Sequence, residues 1–190
     1  MDANEQCVDI LLHLPLGAMS RGQGRVPTES LERQLDRVQT FFPRVDSKVS
    51  ALFAIASAQI AVATVNLSAD DLKKWWIAIP AAGFVLTIAW TLFNLYRCAY
   101  PHLKGGHQSL IYFSEIAVLR ESEYVERLTS VDEDEFRSDL AGQIWRNAEI
   151  VKCKYSYLKH ATIAAMLSLV PWTILLAATS LTHWKIPALN

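Results

Sequence analysis

The amino-acid sequence predicts an all-α, integral membrane helical protein with three transmembrane helices and a cytosolic helical segment, on three observations. Residues 49–69, 75–96 and 161–182 form runs of 21, 22 and 22 residues without Asp, Glu, Lys, Arg or His, and a hydrocarbon core about 30 Å thick takes roughly 20 helical residues to cross. Charge is segregated: nine of the 19 acidic residues fall between Glu115 and Asp139. Lysines and arginines crowd one set of span ends and avoid the other. A soluble fold could bury one such helix, but three would leave too little of a 190-residue chain to wrap them.

In chain order, residues 1–27 read as a flexible N-terminal segment. Asp2 and Glu5 stand where a signal peptide needs a basic region, and Val8 to Leu12 is too short and interrupted for its apolar core, so no cleaved signal is expected. Ser20 to Pro27, with two glycines and a proline, is linker-like, and Thr28 after Pro27 is the expected helix N-cap. Residues 28–48 form a cytosolic amphipathic helix: Leu31, Leu35, Val38, Phe42, Val45, Val49 and Leu52 recur at spacings of four and three, with a bend expected at Pro43. That apolar stripe needs a partner, and the helix opening near Ser130 is the expected one.

The spans differ in quality. The second, 75–96, is strongest, with Trp75 and Trp76 at one end and Tyr96 at the other, where amphipathic rings suit the interfaces. The third, 161–182, carries Trp172, and Pro171 is expected to kink it. The first, 49–69, is rich in alanine and small polar residues and is expected to pack inside a bundle rather than face lipid. Gln59 near its centre would seek an interhelical hydrogen bond or a local backbone contact.

Between the second and third spans, residues 97–160 read as a cytosolic helical sensor segment, and residues 183–190 as an external tail. Ser130-Val131-Asp132-Glu133 matches a capping box. From Phe136 the positions Leu140, Ile144, Ala148, Val151, Tyr155 and Leu158 trace one apolar face, and Gln143, Asn147, Ile150 and Lys154 form a row along its edge. Such polar groups either satisfy one another across a helix pair or bind a ligand. Lys104-Gly105-Gly106-His107 is either an ordinary turn or a backbone cradle for a phosphate.

Orientation follows from the cations. Arg33, Arg37, Arg44, Lys48, Arg97, Lys104, Arg146, Lys152, Lys154 and Lys159 stand on one side, and only Lys73, Lys74 and Lys185 on the other. The N-terminus and the 97–160 segment are therefore expected in the cytoplasm. A net charge of −1 gives no reason to expect nucleic acid as a partner. Cys7, Cys98 and Cys153 are scattered and odd in number, which suggests neither a disulfide framework nor a zinc site. The five histidines, His13, His102, His107, His160 and His183, are dispersed. No metalloprotease, Walker or nucleophile-elbow motif occurs, so no catalytic residue, no metal ligand and no enzyme activity are expected.

Three stretches stand in a telling order relative to the spans: Ile111 to Ala117 (IYFSEIA), Tyr124 to Leu128 (YVERL), and Asp139 to Tyr155 (DLAGQIWRNAEIVKCKY). With Asp46-Ser47-Lys48 before the first span and Pro101 after the second, they resemble the transmembrane effector family of Pycsar anti-phage systems over residues 30–182. The resemblance implies a multi-pass protein of the bacterial inner (cytoplasmic) membrane, encoded beside a pyrimidine cyclase. Such an effector answers a cyclic pyrimidine nucleotide, cUMP or cCMP, by disrupting the membrane in abortive infection. No cofactor beyond that activating ligand is implied, and the chain's partners would be lipid, the messenger and further copies of itself. Shifting an assembly from mostly closed to mostly open takes about 5.5 kcal/mol of differential binding, more than one monoanionic ligand supplies, which favours a homo-oligomer. By chemical type, Lys154, Arg146, Lys104 or His107 would meet the phosphate, Gln143 and Asn147 the base edge, and Trp145 or Tyr155 the base face. The alternative is a constitutive membrane scaffold whose 130–160 helix docks a soluble partner.

Overall fold

The computed structural model describes residues 26–100 and 109–183, which form helices joined by short connections, with no strand among them. The helices are α1 (Thr28–Gln39), α2 (Phe41–Asn66), α3 (Trp75–Ala99), α4 (Phe113–Ile116), α5 (Glu121–Ser130) and α6 (Glu133–His183), with a 3-10 turn at Asp71–Lys73. They fall into two compact units. One holds α1, α4, α5 and α6 as far as residue 149; the other holds α2, α3 and α6 from residue 150. Lys104 and His107 lie outside the described residues.

In the second unit, α2, α3 and the later part of α6 are each long and apolar enough to cross a membrane. Their buried positions keep the spacing of four and three that lets side chains interlock along a helix pair. In α2 these are Val45, Ala56, Gln59 and Ala63, with Val49, Leu52 and Leu67 partly covered. In α3 they are Ile77, Ala81, Phe84, Ile88, Thr91, Leu95 and Cys98, with Asn94 buried beside Leu95.

The unit is inverted relative to a water-soluble bundle. Ala56, Ala63, Ala81, Ala161, Ala164, Thr91, Ser168 and Thr179 are buried, whereas Trp76, Leu86, Trp90, Met166, Val170 and Ile174 are at least half exposed. Water would penalise that exterior by about 25 cal/mol for each Å² of apolar surface, a cost that lipid removes. Small residues on the inside let the helices approach closely. The buried hydroxyls and amide satisfy themselves locally: Thr91 donates to the Thr87 carbonyl (2.9 Å), Asn94 to Trp90 (2.8 Å) and Thr179 to Leu175 (3.0 Å).

The first span is the least covered within the single chain. Only 17% of its most apolar stretch is buried, against 28% in each of the other two. Among the described residues two other spans are available to cover it, and Ala54, Ser57, Ala58 and Ala61 are exposed. Helix α3 continues past Pro80, and α6 continues past Pro171. A methyl group on Gly83 would stand 3.5 Å from the Cβ of Pro171, an ordinary contact, so α3 and α6 run close together there.

A built turn joins α2 to α3. Asp71, 3% exposed, accepts from the Ser68 hydroxyl (2.7 Å) and the Ser68 amide (3.2 Å), and its other oxygen meets the Lys74 ammonium at 3.3 Å. Lys73 pairs with Asp70 at 2.7 Å.

The helical run from Thr28 is divided at Thr40, between α1 and α2, and not at Pro43. Pro43 is instead the third residue of α2, where a helix has no internal partner for an N–H. In the first unit, α1 buries Leu35 and Val38. Thr28 is already helical, and the Pro27 carbonyl accepts from Ser30 and Leu31. The Thr28 hydroxyl instead donates to Glu133 (3.3 Å) and accepts from Arg137 Nε (3.1 Å), tying α1 to the first turn of α6. The capping box is also corrected: Ser130 closes α5, its hydroxyl turned back on the Glu126 carbonyl at 2.8 Å. Asp132 caps α6, accepting from the Asp134 amide at 3.3 Å.

Candidate functional site

Two polar sites stand out, one in each unit. In the first, the stretch before α4 is clipped to α6 through Ser109, a buried residue. Its hydroxyl donates to Asp139 Oδ2 (3.0 Å), and the same oxygen of Asp139 accepts from the Leu110 amide (2.9 Å). Gln143, one turn after Asp139 on the same face of α6, donates through Nε2 to the Ser109 hydroxyl at 2.9 Å. The Ile111 and Tyr112 amides also point at that hydroxyl, at 3.2 and 3.0 Å. Tyr124 of α5 donates to the Leu110 carbonyl (3.3 Å). A carboxylate, an amide and a phenol from two helices thus hold this stretch in a structural clip. Asn147, a further turn along α6, and Arg146 are half-buried, while Trp145 is 53% exposed.

In the second unit, α2 and α6 meet around a buried lysine. Lys154 is 6% exposed; its ammonium lies 2.6 Å from Asp46 and 5.6 Å above the Phe42 ring. Asp46 itself has a side chain 54% exposed, so the pair is reachable from the carboxylate side. The Lys154 carbonyl accepts from the Cys98 thiol (3.3 Å), and Arg97 reaches the Tyr157 hydroxyl (3.1 Å) with its guanidinium 5.4 Å from that ring. Lys48 stands 5.9 Å from the Tyr155 ring centre. Val45, Cys98, Tyr157 and Leu158 close the apolar side of this junction.

Within the spans, Gln59 is 5% exposed. The Ser168 hydroxyl donates to its Oε1 (3.2 Å) and Trp172 Nε1 to its carbonyl (3.1 Å), while Nε2 has no partner. The interhelical bond expected of Gln59 is therefore present but incomplete.

Among the six residues marked by the sequence for ligand binding, Gln143, Arg146 and Asn147 share the first unit and Lys154 belongs to the second. Lys104 and His107 lie outside the described residues. The partner Ser109 carries no signal of its own, and Asp46, marked by the sequence only as part of Asp46-Ser47-Lys48, gives no hint that its partner is Lys154, 108 positions away. Asp139 could have been found, since it sits four residues before Gln143 on one helix face. No group of three His, Cys, Asp or Glu side chains among the described residues is arranged to hold a metal.

Comparison with known proteins gives one family: a model described as the Pycsar effector protein domain matches residues 30–181. No curated protein and no solved structure matches the chain.

Proposed function

This chain belongs to the Pycsar effector family, and on that premise we propose that it is a membrane effector switched by a cyclic pyrimidine nucleotide, cUMP or cCMP. The observation that supports the reading most is the extent of the family match. It takes in both the polar unit of α1, α4, α5 and early α6 and the three helices with an apolar exterior.

A cyclic pyrimidine nucleotide presents one negative phosphate, a base edge that seeks amides and a flat face that seeks a ring. Asn147 suits the base edge, Trp145 the face, and Arg146 with Lys104 and His107 the phosphate, while Gln143, its Nε2 engaged by Ser109, holds the stretch before α4. An anion reaching Lys154 would compete with Asp46 for its ammonium and loosen α2 from α6 within the second unit. Such loosening is the differential interaction that a two-state switch requires. The spanning helices then compromise the bacterial inner membrane, several copies acting together and the polar unit lying in the cytoplasm. In this reading the helices do the damage without catalysis, and a neighbouring pyrimidine cyclase supplies the messenger.

The test is calorimetric titration of the detergent-purified protein with cyclic UMP, cyclic CMP and cyclic AMP, beside dye release from vesicles carrying it. One pyrimidine ligand is expected to bind and release dye, and cyclic AMP to do neither. Absence of binding by both pyrimidines would overturn the proposal in favour of a constitutive scaffold. Asn147→Ala should weaken binding by about fivefold or more, the worth of a hydrogen bond of roughly 1 kcal/mol. Wild-type affinity there would overturn only the residue assignment.

A further inference from the structure

The two ends of the spanning bundle treat their lysines differently. At the turn between α2 and α3, Lys73 pairs with Asp70 and Lys74 with Asp71, so each cation has an anion from the chain itself. At the other end the buried Lys154 pairs with Asp46, whereas Lys48 of α2 and Lys159 of α6 form no ion pair among the described residues. They are the last Lys or Arg residues before the uncharged runs 49–69 and 161–182, so both stand where a bilayer's headgroups begin. They also flank one open groove of about 560 Å³, whose floor is apolar: Ala51 and Leu52 from α2, Leu158 and Ile163 from α6.

We propose that this groove holds an anionic phospholipid, its phosphate between Lys48 and Lys159 and the start of its acyl chain along Leu52 and Ile163. The chemistry is complementary at both ends of such a ligand. Two ammonium groups without an acidic partner supply the charge, and Tyr155, whose ring lies beneath Lys48, supplies an amphipathic interface side chain. A zwitterionic headgroup brings its own cation toward the lysines and gains less. A soluble phosphate leaves the apolar floor uncovered. The inference rests on the three helices spanning a bilayer and is independent of any nucleotide ligand.

The experiment is native mass spectrometry of the full chain in detergent, titrated separately with phosphatidylglycerol, phosphatidylcholine and glycerol 3-phosphate. A basic side chain near a membrane surface contributes enough for about a fivefold change in affinity. Phosphatidylglycerol is therefore expected to bind about 25-fold more tightly than phosphatidylcholine if the two lysines act independently. Lys48→Gln and Lys159→Gln should each lose about fivefold of that preference. Lys152→Gln, which removes the same charge from an exposed position outside the groove, should keep it. Equal affinity for the two lipids overturns the proposal, and so does an equal loss in Lys152→Gln, which would mean diffuse charge attraction. Glycerol 3-phosphate binding as tightly as the lipid overturns it too, because the groove would then be a free-phosphate site.

Discussion

Gln143 in the first unit and Gln59 in the second are buried to nearly the same degree, 4% and 5% exposed, yet their amides fare differently. Gln143 Nε2 finds the Ser109 hydroxyl, which is itself held by Asp139. Gln59 Nε2 finds nothing, although Ser168 meets the other end of the same amide. In the first unit, loops and charged side chains are close at hand, and a buried polar group can recruit a complete network from them. Between spans the neighbours are alanines and aliphatic chains, and the hydroxyls there are already turned back on their own helices. A polar group in that interior is costly unless every lone pair and proton is used. The second unit therefore places the one buried cation among its described residues, Lys154, beside Asp46 at the rim, where a carboxylate can stay half in water.

The largest effect expected from disturbing this arrangement is at that rim. Asp46→Ala leaves the Lys154 ammonium buried with only the Phe42 ring and no carboxylate. Breaking a fully buried pair from one side costs about 3–5 kcal/mol. The exposure of Asp46 lets water screen part of that, so a loss of about 2–3 kcal/mol is expected. Chemical unfolding in detergent measures it. The double variant Asp46→Ala with Lys154→Met should recover most of the loss, since it removes the orphaned charge as well. A double variant no better than the single one would mean that Asp46 acts through something other than Lys154.

The spans were legible in the sequence because a run of about 20 uncharged residues is a property of composition, independent of what the run touches. The amphipathic stripe from Leu31 to Leu52 was legible for a related reason, helical period being local. The cap of α6 was not: Ser130 and Asp132 are both good cap residues, and the choice turned on where α5 ended. Neither was the exposure of the first span, since small residues suit any close neighbour and the number of neighbours is a tertiary fact. At the candidate sites, Gln143 and Lys154 stood out as polar positions beside an apolar face. Their pairings with Ser109 and Asp46 did not, although Asp46 lies in a stretch the sequence marked, because contacts across 34 and 108 residues leave no local trace.

In the first unit, Gln143→Leu should be clearly destabilising. It removes a donor from the Ser109 hydroxyl while leaving Ser109 and Asp139 buried or half-buried around an apolar side chain. A loss of about 1–2 kcal/mol follows from the cost of an unmade buried hydrogen bond. Hydrogen exchange of the Leu110, Ile111 and Tyr112 amides gives the local readout. Faster exchange there, with the spanning helices unchanged, is the expected pattern; unchanged exchange at all three would show that Asp139 alone holds the loop.

The same substitution at Gln59 should act in the opposite direction, and by less. Leucine is one bond shorter than glutamine but keeps its branch-bearing apolar stem, removes the orphaned Nε2 and gives up one contact, the 3.2 Å bond from Ser168. Ser168 keeps its 2.7 Å bond to the Ala165 carbonyl, and Trp172 keeps the Gln59 backbone carbonyl, so neither loses its last partner. Against that small loss stands the desolvation of an amide donor that makes no bond, about 1 kcal/mol or more. Gln59→Leu is therefore expected to be neutral or to stabilise the detergent-solubilised chain by up to about 1 kcal/mol, read as a rise in its unfolding midpoint. A loss above about 1 kcal/mol would mean that Nε2 does have an acceptor in the bilayer, which among buried helices would have to come from water or from another copy of the chain. The sign of this one substitution thus separates a span whose polar centre is completed within the single chain from one completed only in an assembly.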